Sequence, residues 1–350
     1  LSVFSDMQFN EALNGYGGRR TSWETHHERL SREWASKGYE LPTITYWNLR
    51  STGGAPAATE TPGVRLLSGF SPALLKLVME RSGSPFASGF SADVQPQDEA
   101  IAALAAGRDA GRRNPLQITV GIYGAGPELN RRLRPVPIPV TGGILGLRAG
   151  WTNRRALPDL KTIQSVEDLQ RLVLVQGLGW SDVEIFDTAE LRTYTARSEK
   201  LLRLVNDMRV QLFPRGVAEL QAEDSTVQSL YPQIILDPYL LIVYPFAGFF
   251  YVAPDNTELA DALQIGFERA MADGSYQRLV DESIMTPWLS RKLQLKSRRV
   301  LVLKNPNAAE ALAEVDPNHW IVPWNELMSG RITHGRDLCG FAGFKALCNG

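Results

Sequence analysis

"YVAPDNTELADALQIGFERAMADGSYQRLVDE", residues 251–282, is the stretch that decides the fold. It opens apolar, breaks at Pro254-Asp255-Asn256, and then repeats apolar residues at helical spacing. Leu259, Leu263, Phe267 and Met271 share one stripe, so 257–273 reads as an amphipathic helix. Asn256 precedes it as a cap and Gly274 follows it as a stop. A strand that feeds a long helix in this way is a unit of α/β architecture.

Working outward, the same grammar recurs upstream. "LQITVGIYG" (116–124) and "RVQLFP" (209–214) read as strands, as do "RLVLVQ" (171–176) and "RTYTA" (192–196). Ser165-x-x-Asp168 and Ser181-x-x-Glu184 are capping boxes, and Ser198 caps the helix "SEKLLRLVNDM". "VPIPVTGGILGLR" (136–148) reads as extended chain punctuated by glycine and proline. The apolar run "YLLIVYPFAGFFYVA" (239–253) is broken by Pro245 and is shorter than the ~18 residues a membrane span requires. No membrane insertion is expected.

Residues 1–82 alternate strand and helix in a second block. "SVFS" (2–5), "TITYWNL" (43–49) and "GVRLL" (63–67) are strands. Thr21-x-x-Glu24 opens a helix whose stripe holds Trp23, His27, Leu30 and Trp34, and Ser71-Pro72 starts another that Gly83 ends. Residues 83–98 turn to Gly, Ser, Pro and Asp and read as a linker. Residues 99–328 form the larger α/β domain. Residues 329–350 show no period and read as a loose tail.

The chain has 350 residues and a formal net charge of −1, so no basic field points to nucleic acid. Cys339 and Cys348 can close one late loop; their bonding and the compartment stay open. No Gly-x-Ser-x-Gly elbow, phosphate loop or His-Glu-x-x-His set occurs, and "GIYGAG" (121–126) lacks dinucleotide spacing. Glu219 and Glu223, four apart, read as a solvated helix face. The adjacent His26 and His27 cannot face one way on a helix. The expectation is binding without catalysis and without a cofactor.

The binding candidate is "QGLGWSD" (176–182), a glycine-rich turn before a helix start. Gly177, Trp180, Ser181 and Asp182 would line a place where free amides favour an anion. The alternatives are that the turn only connects two elements and that Trp180 only packs.

Two resemblances add to this reading. "VFSDMQF" (3–9), "GYELPTITYWNLR" (38–50) and "PGVRLLSGFSPALLK" (62–76) resemble the second half of a von Willebrand factor A (vWA) type domain. The version is that of an uncharacterised family related to the TROVE/Ro ribonucleoproteins. This resemblance implies a Rossmann-type sheet with a Mg²⁺ or Mn²⁺ site, in which Asp6 is one ligand. The Asp-x-Ser-x-Ser partner is absent from the chain, so metal binding is expected only if a missing upstream half is restored. Otherwise Asp6 caps the turn after its strand.

"VPIPVTGGILGLR" (136–148), "IQSVEDLQRLVLVQGLGWSDVEIF" (163–186) and the decisive stretch at 251–282 look like a family 3 extracellular solute-binding protein. That resemblance implies two α/β lobes joined by crossing strands, a small polar or anionic solute in the cleft, and an ABC-transporter membrane subunit as partner. Arg131 and Arg132 stand where the family's lobe-one arginine clamps a ligand carboxylate; the alternative is a solvated basic cluster with Arg134. Arg215 stands near the place where the family often has an acid for the ligand's amino group, which speaks against an α-amino acid ligand. The first strand and helix of lobe one have no counterpart.

The expected fold is therefore α/β: an incomplete vWA-like sheet followed by a periplasmic-binding-protein-like domain. The expected function is non-enzymatic solute binding, and the alternative is an intracellular vWA-type interaction module with an incomplete metal site. The first implies the periplasm, the second the cytoplasm.

Overall fold

The computed structural model describes residues 2–5, 44–48, 64–68, 70–85, 97–107, 119–178 and 180–348. Asp6, His26, His27, the Thr21–Glu24 box and most of the 83–98 stretch lie outside the described residues.

Three strands, β1 (Ser2–Ser5), β2 (Ile44–Asn48) and β3 (Val64–Ser68), form a parallel sheet in sequence order. Ser2 stands opposite Thr45, and Ile44 opposite Val64. A second sheet joins β4 (Val120–Gly124) and β5 (Arg134–Val136) on either side of β12 (Gly248–Val252), all antiparallel. A third runs in the order β10 (Ile234–Leu236), β6 (Leu147–Asn153), β11 (Leu240–Val243), β13 (Arg299–Val302), and β9 (Phe213–Gly216) also pairs with β6. Beside it β7 (Val173–Gly177) and β8 (Arg192–Ala196) make a parallel pair, and Val175 N donates to Leu212 O at 2.9 Å. The molecule is a mixed α/β fold.

The chain crosses between the sheets at 137–146, from β5 to β6, and again at 244–247, from β11 to β12. Pro245 sits in the second crossing, so the broken apolar run is two strands whose residues are all buried. Proline can stand there because neither ladder needs its missing N–H.

The helices used below are α1 (Phe70–Ser82), α2 (Gln97–Ala105), α3 (Pro127–Arg132), α4 (Asp182–Thr188), α5 (Leu220–Leu230) and α6 (Thr257–Ala272). Helix α6 follows its sequence pattern closely. The Asn256 side chain accepts from Leu259 N, and Leu259, Leu263 and Phe267 are buried. Phe267 meets Phe250 and Tyr276 at ring distances of 6.2 and 5.1 Å. Helix α1 packs against α6 so closely that a Cβ on Gly266 would lie 2.0 Å from the Val78 carbonyl oxygen. The last helix of the N-terminal block is thus part of the main core, through Leu74, Leu75, Val78 and Met79.

The expectation of a loose tail at 329–350 is corrected. Val300 N donates to Thr333 O at 2.9 Å, and Arg299 bridges to His334 along the β13 edge. Ile332, Leu338, Phe344, Leu347 and Cys348 are buried in the main core, and Cys339 is disulfide-bonded to Cys348. Short turns with isolated apolar anchors have no period to read, which is why the sequence does not show them.

Candidate functional site

Arg148 lies on β6, a strand whose residues are all buried, and its side chain is only 4% exposed. Its Nη2 sits 2.8 Å from Asp182 Oδ1, its Nη1 3.4 Å from Glu219 Oε2, and its Nε donates to the Tyr244 hydroxyl at 2.7 Å. The Tyr244 hydroxyl in turn donates to Asp182. Burial pulls the Arg148 pKa down, but the charge of Asp182 and the neighbouring Tyr244 and Glu219 outweigh it, so the net shift is upward. Burial also pushes the Tyr244 hydroxyl well above its ordinary value.

A second cation, Arg215 on β9, continues the network. Its Nε donates to Glu223 Oε1 at 2.7 Å and its Nη2 to Glu219 Oε1 at 2.6 Å. The guanidinium lies 4.9 Å from the Trp180 ring centre and 5.3 Å from that of Phe213. The outer carboxylate oxygens are held independently: Gly216 N donates to Glu219 Oε2 at 2.9 Å, and Trp151 Nε1 to Glu223 Oε2 at 2.7 Å.

These contacts correct several expectations from the sequence. Asp182 is not offered to a ligand; it is buried as the counter-charge of Arg148. Gly177 is buried under Trp180, where a Cβ would come within 2.1 Å of the indole. Trp180 packs on Phe213 and carries Arg215, so its packing alternative is the one realised. Arg215 is bound within the chain. Glu219 and Glu223 form no solvated face but hold two arginines and an indole. The Ser181 hydroxyl caps nothing: Ser181 already has helical φ and ψ, and Trp180 O accepts the first bond, from Val183 N at 3.1 Å. A capping side chain needs an extended backbone there.

Three of the expected residues do meet. Arg131 and Arg132 from α3 and Ser181 from the start of α4 line one cleft of about 440 Å³ between the two crossed sheets. Gly126, Glu128, Glu184, Phe246, Asn305 and Asn307 are among the other residues that line it. Asn307 Nδ2 donates to Glu184 Oε2 at 2.7 Å, and Asn305 Nδ2 to Pro245 O at 2.8 Å. On the opposite wall Glu310 pairs with Arg131 at 2.8 Å, and Asn130 Nδ2 donates to Ala311 O at 3.1 Å. Residues 305–311 therefore run from one wall of the cleft to the other. Arg132 faces Glu128 at 3.8 Å. Both arginines are exposed, Arg131 by 66% and Arg132 by 48%, so these ion pairs are weakly held and leave guanidinium donors open to a solute.

Chemically, the cleft offers exposed cations on one wall, a carboxylate and amides on the other, and an apolar floor at Phe246. Among the described residues no group of three His, Cys, Asp or Glu could hold a metal ion. Asn305, Asn307 and Arg148 were not read from the sequence. "KNPN" (304–307) after an apolar strand is a polar turn at a strand end, and that signal would have marked the asparagines.

A family model described as a domain of unknown function, DUF7788, matches residues 1–118. "Uncharacterized protein L728" of Acanthamoeba polyphaga mimivirus is 35% identical over 81 residues, 23% of this chain. The chain spans 13% of the length of that relative. Solved structures similar to this chain include the substrate binding protein of an amino acid ABC transporter, at 14% identity. It is covered over 63% of this chain and 88% of its own, with a TM-score of 0.42. An ancestral arginine-binding protein bound to arginine matches at 16% identity over 62% and 88%, with a TM-score of 0.43. The GluR0 ligand-binding core from Nostoc punctiforme in complex with glutamate matches at 14% identity over 62% and 91%, with a TM-score of 0.42.

Proposed function

We propose that the protein binds a small polar solute in the cleft between its two crossed sheets and does not transform it. The observation that carries this reading is the two-sided polar lining: Arg131 and Arg132 face Ser181, Glu184, Asn305 and Asn307 across about 440 Å³. Pockets of this size with a few convergent polar groups are where small ligands bind. The expected objection to an α-amino acid rested on Arg215, whose charge is absorbed by Glu219 and Glu223. Amino acids therefore belong in the panel with small carboxylates and opines. On this reading the loaded protein meets an ABC-transporter membrane subunit. A thermal-shift screen tests the binding step, because a ligand that binds only the native state raises its melting temperature. At least one solute should stabilise the wild type and leave Ser181→Tyr, which fills the cleft, unshifted. A flat response across the panel defeats the reading.

The finer reading of residues 1–82 as a vWA-type module draws support from the parallel order of β1, β2 and β3. Its test is stabilisation by Mg²⁺ or Mn²⁺ that Asp6→Ala abolishes; equal responses of the two proteins count against it.

A further inference from the structure

Glu219 and Glu223 aim one oxygen each at a single guanidinium edge, and two aromatic rings flank the same group. All four side chains are fixed by contacts that do not involve that guanidinium. Glu219 Oε2 is held by Gly216 N and Arg148, Glu223 Oε2 by Trp151, and Trp180 and Phe213 by each other at 6.3 Å. Phe213 and Arg215 project from the same face of β9, which brings the ring beside its own neighbour's charge. The enclosure is preformed, and the Arg215 side chain, 13% exposed, fills it.

We propose that Trp180, Phe213, Glu219 and Glu223 form a binding site for a guanidinium group, with Arg215 as its built-in occupant. The charge count favours this. With Arg215 in place, the carboxylates of Asp182, Glu219 and Glu223 face two guanidinium groups; without it they face Arg148 alone. A planar cation that stacks on an indole and reaches two carboxylates by one edge satisfies every contact, whereas a compact ammonium satisfies only the charge. Attachment through the backbone gives Arg215 a high effective concentration, so a free guanidino compound competes poorly in the wild type. The site is distinct from the solute cleft, whose lining includes none of these four residues.

The test is chemical rescue of Arg215→Ala by millimolar methylguanidine, with methylammonium at equal concentration as the control. The variant should lose melting temperature, and methylguanidine should recover at least half of the loss. Methylammonium should recover little, and the wild type should shift with neither. Removing one wall as well, in Arg215→Ala/Glu223→Gln, should abolish the rescue. Equal effects of the two cations, or of methylguanidine on variant and wild type, overturn the proposal. Should Arg215→Ala not fold, Arg215→Gln is refolded with each cation. A higher yield of native protein with methylguanidine is expected, and equal yields overturn the proposal.

Discussion

At the residue scale, charge placement inside the fold matters more than charge number. Arg148 is buried in β6, and its three partners come from α4, from the end of β11 and from the residue that precedes α5. Removing it leaves Asp182 buried without its counter-charge and takes one hydrogen-bond partner from the Tyr244 hydroxyl. Arg148→Met should therefore cost about 3–5 kcal/mol in denaturant unfolding, the range for breaking a buried pair from one side. A loss no larger than that of an exposed-arginine variant such as Arg131→Met would show that the network is not stabilising. None of this was legible in the sequence, where Arg148 is only the last residue of the extended stretch 136–148. Asp182 and Ser181 were placed correctly at a helix start. Ser181 lines the cleft but Asp182 does not, because the buried arginine that claims Asp182, 34 positions away, is not legible as its partner.

At the scale of elements, what repeats was readable and what is singular was not. Helix α6 announced its stripe, cap and stop, and the strands of the first block announced themselves by β-branched and aromatic runs. The contact between α1 and α6 had no such signature, since Gly266 looks like an ordinary weak point in a helix. Its value is spatial: the Val78 carbonyl occupies the space a side chain would take. Gly266→Ala raises helix propensity by about 1 kcal/mol, yet it should destabilise the protein by about 1–3 kcal/mol because the helices must separate. Calorimetry would check the sign, and amide exchange should show lost protection in α1 before other helices. A gain in melting temperature would mean that the contact is slack.

At the scale of the whole molecule, the mixed α/β character matched the expectation, and the closing segment did not. The disulfide between Cys339 and Cys348 fastens a stretch that also covers the edge of β13 and adds Phe344 and Leu347 to the core. Chain-entropy reasoning gives a loop of this length about 2–3 kcal/mol. Cys339→Ala/Cys348→Ala should lower stability by that order, with the loss reproduced in the wild type by a reducing agent. Unchanged unfolding under reduction would assign the segment's hold to its apolar anchors alone.

The crossings carry a consequence for how the protein comes into being. One sheet takes its strands from 120–136 and 248–252, and the other from 147–243 and 299–302. No single cut separates them, and a growing polypeptide that has not yet emerged past Val302 lacks one of the two strands that flank β11. The sheet of 120–136 and 248–252 has all its strands once Val252 is made, whereas the other must wait for Val302, so its closure is a late event that joins strands far apart in sequence.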